Sequence, residues 1–207
     1  MIRRPPRSTP LYSSAASDVY KRQAVADADS IVQAAESLGL KTPEHHPGEQ
    51  EWAALRAHAR GVIDLADRLD SAEHATRALA QQHVPTLSLL VGPLGAAKMV
   101  TLAGGRERLA RMPSGSLQVL GASGAMAAHR RGAPPPKHSP ILFSLPQVSR
   151  APRWVRGKIA RYLAGKCSIA VRVDHFEGEP WSDEQIDEII QECQNIKDRF
   201  PKPPKRR

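Results

Sequence analysis

The sequence predicts an all-α fold, and three observations carry that expectation. Alanine, leucine and arginine, all strong helix formers, dominate the 207 residues. Aromatic residues make up only 4%, so the helices must pack on small aliphatic side chains. Few stretches alternate apolar and polar residues as a half-buried strand requires. A chain of this length is sufficient for one or two helical domains with a real core.

The elements follow in order. Met1 to Gln23 has no helical period and no apolar core long enough for a signal peptide. It resembles translated sequencing-adapter sequence and is set aside as a disordered leader, with the natural amino end expected to lie elsewhere. From Ala24 to about Leu40, Val25, Ala28, Ile31, Val32, Ala35 and Leu38 recur at helical spacing, with Gly39 as the stop. A polar turn holding Pro43 and Pro47 precedes a second helix from about Glu49 to Gln82. Its apolar stripe runs through Trp52, Leu55, Ala59, Val62, Ile63, Ala66 and Leu69. At ~1.5 Å per residue this helix reaches ~50 Å, a length and narrow stripe typical of a coiled-coil arm.

Pro85 marks a break. Thr86 to Ala103 reads as one buried helix ending at Gly104-Gly105, and Arg106 to Arg111 as a short one. After a Pro113-Ser114-Gly115 turn, Ser116 to about Arg130 reads as helix, weakened by Gly121 and Gly124. Gly132 to Pro136 forms a stiff proline loop, and Ile141 to Leu145 is the best candidate for an extended segment. Ala151 to Val173 is an amphipathic helix with Ile159, Leu163, Ala170 and Val173 on one side and Lys158, Arg161 and Arg172 on the other. A last helix starts after Ser182, whose spacing to Gln185 fits a capping box. Its stripe is Ile186, Ile189, Ile190, Cys193 and Ile196, and a proline-broken basic tail, expected to be disordered, follows from Pro201.

Charge is segregated along the chain. Residues 24–90 carry 10 acids and 5 bases, whereas residues 91–173 carry 14 bases and a single acid, Glu107. Residues 174–198 then carry 9 acids and one base, Lys197. A one-sign block flanked by acidic segments is the footprint of a polyanion site, because a solvated surface would intersperse its acids. Cys167 and Cys193 stand alone, without the clusters that hold zinc, and point to a reducing, cytoplasmic compartment. No apolar run approaches the ~18 residues of a membrane span, and no membrane is expected as a partner.

Catalytic and cofactor signatures do not emerge. Gly92 to Lys98 has the wrong spacing for a phosphate loop, and Met99 replaces its Ser or Thr. Gly121-Ala-Ser-Gly124 lacks the preceding strand and third glycine of a dinucleotide fingerprint. His45 and His46 sit in a turn, and Asp183 and Glu184 suit a helix start. No metal, cofactor or enzymatic activity is expected. For RNA the signal is stronger: Lys137 and His138 follow three prolines on a pre-ordered loop, and Lys158 and Arg161 lie one helical turn apart. Arg153, Arg156 and Lys166 add charge, although Lys166 lies near the apolar side and is placed to snorkel.

Five motifs in order complete the reading: LVGPLGA at 90–96, LAGG at 102–105, QVLGA at 118–122, GAPPPKH at 132–138 and RGKIARYLAGKC at 156–167. Together with the closing FPKPPKRR they resemble the Nop domain family, nearest its archaeal branch, over about residues 50–207. The resemblance implies a scaffold of box C/D guide ribonucleoproteins. Such a scaffold bridges fibrillarin, which methylates ribose 2′-hydroxyls, and a kink-turn-binding ribosomal L7-type protein on a guide RNA. It implies residues 24–84 as a partial coiled-coil arm that homodimerises, 85–198 as the RNA- and protein-binding domain, and 199–207 as the tail. Fibrillarin binding is implied for an amino-terminal domain outside this chain. Lys137, His138, Lys158 and Arg161 are the implied RNA contacts, and the helix from Gln118, with Gly121, Ala122 and Ala125, is implied to face the kink-turn protein. The family's charged pair after Gly-Ala is replaced here by Ser123-Gly124, and its Gly after Lys-His by Ser139-Pro140. A spliceosomal relative of the same domain, and an autonomous RNA-modifying enzyme, are the alternative readings.

Overall fold

In the computed structural model, residues 11–203 are described, with side chains from Val19 onward. The described residues form helices and no strand. Two compact units divide the chain, Met1–Ala72 and Glu73–Arg207.

In the first unit, α1 (Leu11–Asp27) and α2 (Ile31–Ser37) replace the single helix expected from Ala24 to Leu40. Ser30 breaks it by capping α2, its hydroxyl accepting from the Gln33 amide at 3.3 Å while Gln33 Oε1 accepts from Asp29 N at 2.7 Å. Helix α1 begins at Leu11, inside the stretch read as a disordered leader; no Pro or Gly interrupts Leu11–Asp27, which leaves the backbone free to stay helical. Residues 1–10 of that leader lie outside the described residues. Gly39, at φ +63°, ends the segment as expected. The small core joins Ala28, Ala34 and Trp52, and the Trp52 indole N–H donates to Ala28 O at 3.2 Å.

Helix α3 (Glu49–His83) matches the long helix read from the sequence. Its first half buries Trp52 and Ala59, but Leu55, Leu65 and Leu69 are exposed.

The second unit takes in the end of α3, because Ala80 and Val84 belong to its core; the sequence reading put the boundary at Pro85. The helix expected over Thr86–Ala103 is two, α4 (Pro85–Val91) and α5 (Pro93–Ala103), bent by 114°. Pro93 cannot continue a helix, and Gly92 adopts φ +79°, ψ 151°, which a Cβ would oppose. Neither is long and apolar enough to cross a membrane, nor is any other single helix among the described residues. Next come α6 (Arg106–Arg111) and α7 (Ser114–Gln118), the latter occupying the expected Pro113 turn. The helix expected from Ser116 to Arg130 is interrupted at Gly121, φ +80°, and resumes as α8 (Ser123–Arg130).

The expected extended segment is instead α9 (Pro140–Ser144), followed by α10 (Pro146–Ser149). Ser139 is 1% exposed and its hydroxyl accepts from Leu142 N at 3.0 Å, while Pro140 takes the first helical position. These two residues thus start a helix whose length is too short for periodicity to reveal. Helix α11 (Arg156–His175) begins later than expected, after a Pro152-containing turn, and packs against α4, α6, α7, α9, α10 and α12. Ile159, Leu163 and Ala170 are buried as anticipated, with Ala160, Ala164, Cys167 and Val171 beside them. Fully burying each Ile or Leu contributes about 1.5–3 kcal/mol, so α11 is the axis of this core. Helix α12 (Asp183–Arg199) starts at the expected capping box, with Gln185 N to Ser182 Oγ at 3.4 Å and Ser182 N to Gln185 Oε1 at 2.9 Å.

Asp174, read in the sequence as part of an acidic flank, is buried. Its two carboxylate oxygens accept from Thr86 N and Leu87 N, both at 2.9 Å, and so close the amino end of α4.

Candidate nucleic-acid interface

The apolar side of α11 is turned to the core, so its polar side must face outward. Lys158, Arg161, Ile169 and Arg172 are exposed along it. Arg161 makes no ion pair with any described residue. Among the described residues, Arg111 alone of the 14 bases in residues 91–173 has a carboxylate partner in an ion pair, Glu107 at 2.6 Å. Arg172 Nε donates to Ala110 O at 3.0 Å, which ties that cation to α6.

The proline loop reaches the same helix. A Cβ added at Gly157 would sit 3.3 Å from Lys137 Cβ, so the stem of Lys137 lies across α11 at a residue without a side chain. Gly157 and Arg161 share a face at (i, i+4), which gathers Lys137, Lys158 and Arg161. The Gln118 amide donates to Lys137 O at 2.7 Å and fixes the loop to the end of α7. Lys137 itself is exposed, as is Arg153 in the turn before α11.

His138 stacks on Phe143, with centroids 4.8 Å apart and rings 14° from parallel. With Gly121, Ala122, Gly124, Ala125 and Pro140 these rings line an open groove of about 410 Å³. Three residues read as facing a protein partner, Gly121, Ala122 and Ala125, therefore share a groove with His138. Gln118 stands apart from that groove, at the end of α7, because Gly121 turns the chain between α7 and α8. A Cβ at Gly121 would come 2.8 Å from Leu102 Cδ1.

Two of the cations read as RNA contacts have partners within the fold. Arg156 donates from Nε to Ala151 O and from Nη2 to Ser149 O, both at 2.9 Å, and its guanidinium lies 5.4 Å from the Phe143 centroid. Lys166 is half-buried with its ammonium 5.6 Å from the Tyr162 ring, in keeping with the snorkelling expected. Burial, with Cys193, Glu192 and Glu188 adding to it, raises the Tyr162 phenol above its ordinary value. Sequence reasoning missed Phe143, which organises both His138 and Arg156; its only signal was an aromatic residue in an aromatic-poor chain. Among the described residues no group of three His, Cys, Asp or Glu is placed to hold a metal.

These features define an all-α module with a cationic, carboxylate-poor face and a groove at its edge. A family model described as "Nop: snoRNA binding domain, fibrillarin" matches residues 12–197, and the chain belongs to this Nop family. A NOP5 family protein of Methanocaldococcus jannaschii is 42% identical over 126 residues, 60% of this chain and 30% of that protein. Nucleolar protein 56 of Homo sapiens is 36% identical over 142 residues, 67% of this chain and 24% of that protein. The chain thus spans about a quarter to a third of these relatives. The crystal structure of a fibrillarin/Nop5p complex contains a similar chain, with TM-score 0.54 and 26% identity over 89% of this chain and 72% of that one.

Proposed function

We propose that this chain is the RNA- and protein-binding portion of a box C/D guide ribonucleoprotein scaffold. It binds guide RNA together with a kink-turn-binding L7-type protein and supports ribose 2′-O-methylation catalysed by fibrillarin, without catalysing it. The observation that carries this reading is the convergence of Lys137, Lys158 and Arg161 on one face of α11, in a block of 14 bases with a single acid. Phosphates are the counterions such a face lacks. Arg153 extends the cationic surface, and His138 lines the adjoining groove with Gly121, Ala122 and Ala125, where the L7-type protein docks. Gln118 acts by holding the Lys137 loop. Arg156 and Lys166 serve RNA binding indirectly, by ordering the turn before α11 and by packing on Tyr162.

Similarity to a chain in a fibrillarin/Nop5p complex supports fibrillarin as partner. The exposed leucines of α3, Leu65 and Leu69, support homodimerisation through a coiled-coil arm. Both cysteines are free and buried, which suits a reducing cytoplasm. The test is methyl transfer to a guided RNA by the purified chain, with and without fibrillarin. Stimulation only in the presence of fibrillarin, or RNA binding without any activity, is expected; methyl transfer by the chain alone overturns the reading.

A further inference from the structure

We infer that Trp154 and Phe200 form a stacking platform for an unpaired nucleobase at the edge of the cationic face of α11, an inference that rests on the RNA reading above. Few aromatic side chains exist in this protein, and the indole of Trp154 reaches the backbone of Phe200 from 46 positions away. The Trp154 indole N–H donates to Phe200 O at 3.0 Å, which locks the end of α12 against the turn preceding α11. The Phe200 ring carries the Lys158 ammonium at 4.0 Å from its centroid. Despite these contacts Trp154 remains 36% exposed and Phe200 40%.

The core of the second unit is built of aliphatic side chains and cysteines, so its aromatic residues stay at the periphery, and two of them come together at this point. Arg153 adjoins Trp154, and Arg161 lies one turn beyond Lys158, both exposed. Of the acids towards the end of α12, Glu192 pairs with Arg199 and Asp198 accepts from the Gln194 amide at 3.1 Å. Apolar ring faces bordered by unpaired cations suit a single-stranded nucleotide, whose base stacks while its phosphate meets the cation. A double-stranded stem has no free base face to offer, and an acidic peptide would leave the rings without a flat partner. The indole supplies the larger face, and the lysine–phenylalanine contact holds the ammonium over the Phe200 ring instead of letting it range over solvent.

The experiment uses the full chain and a kink-turn RNA already bound by its L7-type protein, carrying an unpaired adenosine extension on the stem. A matched RNA carries abasic sites at the same positions. The parent chain should bind the adenosine RNA roughly five- to a hundredfold more tightly than the abasic one. Trp154→Ala should remove that preference while leaving the abasic affinity and the salt slope unchanged. Trp154→Phe, which keeps a ring but loses the donor, should retain most of it. Should Trp154→Ala fail to fold, Phe200→Leu serves in its place and must weaken the adenosine preference. Equal binding of the two RNAs by the parent, or an undiminished preference in the variants, overturns the platform alone. Failure of the parent to bind either RNA overturns the RNA reading and the platform with it.

Discussion

The side-chain amide of Gln118 donates to the backbone carbonyl of Lys137 at 2.7 Å, joining the end of α7 to the proline loop that lies across α11. The bond restrains a loop whose cation faces solvent, so it acts on the readiness of Lys137 to bind rather than on its charge. Gln118→Ala should weaken binding to a kink-turn RNA–protein complex about two- to fivefold, the worth of one hydrogen bond of roughly 0.5–1 kcal/mol. The slope of affinity against salt should not change. A flattened slope, read by titration at several salt concentrations, would show that Lys137 had lost its phosphate.

Lys158 and Arg161 behave differently, because each removes a charge. The double substitution to alanine should reduce the salt slope by roughly one to two units, as expected for the loss of one or two phosphate contacts. Arg156→Ala should instead lower the unfolding temperature, since it strips hydrogen bonds from Ala151 O and Ser149 O. Thermal melts alongside the salt titration separate the two classes. An unchanged slope in the Lys158/Arg161 variant counts against those residues.

Asp174 predicts a large stability effect far from the interface. Asp174→Ala leaves the amides of Thr86 and Leu87 buried without acceptors and should destabilise the second unit by about 2 kcal/mol. In a unit of this size that is a fall of roughly 5–10 °C in Tm. Asp174→Asn, which keeps one oxygen, should fall between the two.

Gly121→Ala meets both a left-handed backbone, at φ +80°, and Leu102 Cδ1 at 2.8 Å. A loss of about 1–2 kcal/mol is expected, read from chemical denaturation. Gly124→Ala, where an added Cβ meets nothing within 4 Å and the backbone is helical, should be neutral or slightly stabilising.

Burial pushes the Cys167 thiol up to about 12 and the Cys193 thiol to about 11. Unfolded thiols ionise near pH ~8.5, so the unfolded chain gains from rising pH before the folded one does. Stability contributed by the buried thiols is complete below that pH. It should then fall by about 1.4 kcal/mol per pH unit per thiol until the folded pKa is reached. Denaturation midpoints from pH 7 to 10 check the sign. At pH 7.5 a maleimide should label neither cysteine until the chain unfolds.

Much of the candidate site was legible because it rests on local signals. The spacing of Ile159, Leu163 and Ala170 defined which side of α11 is buried, and therefore which side carries Lys158 and Arg161. The capping box at Ser182 and the length of α3 were equally local. Elements of four or five residues were not legible: α7, α9 and α10 are shorter than the two turns over which a period becomes visible. Gly92-Pro93 held the signal for the 114° bend, but the apolar run on both sides of it masked the break.

By itself the sequence determined the helical class, the segregation of 14 bases from their acids, and the motifs of the Nop family, because periodicity and composition are properties of neighbouring residues. Only the tertiary structure decided which of those bases face solvent and which serve the fold. Asp174 finds the amide of Thr86 across 88 positions, Arg172 the carbonyl of Ala110 across 62, and Trp154 the carbonyl of Phe200 across 46. Hydrogen-bond partners at such separations are selected by how the helices pack, and nothing in the local pattern of either residue names the other.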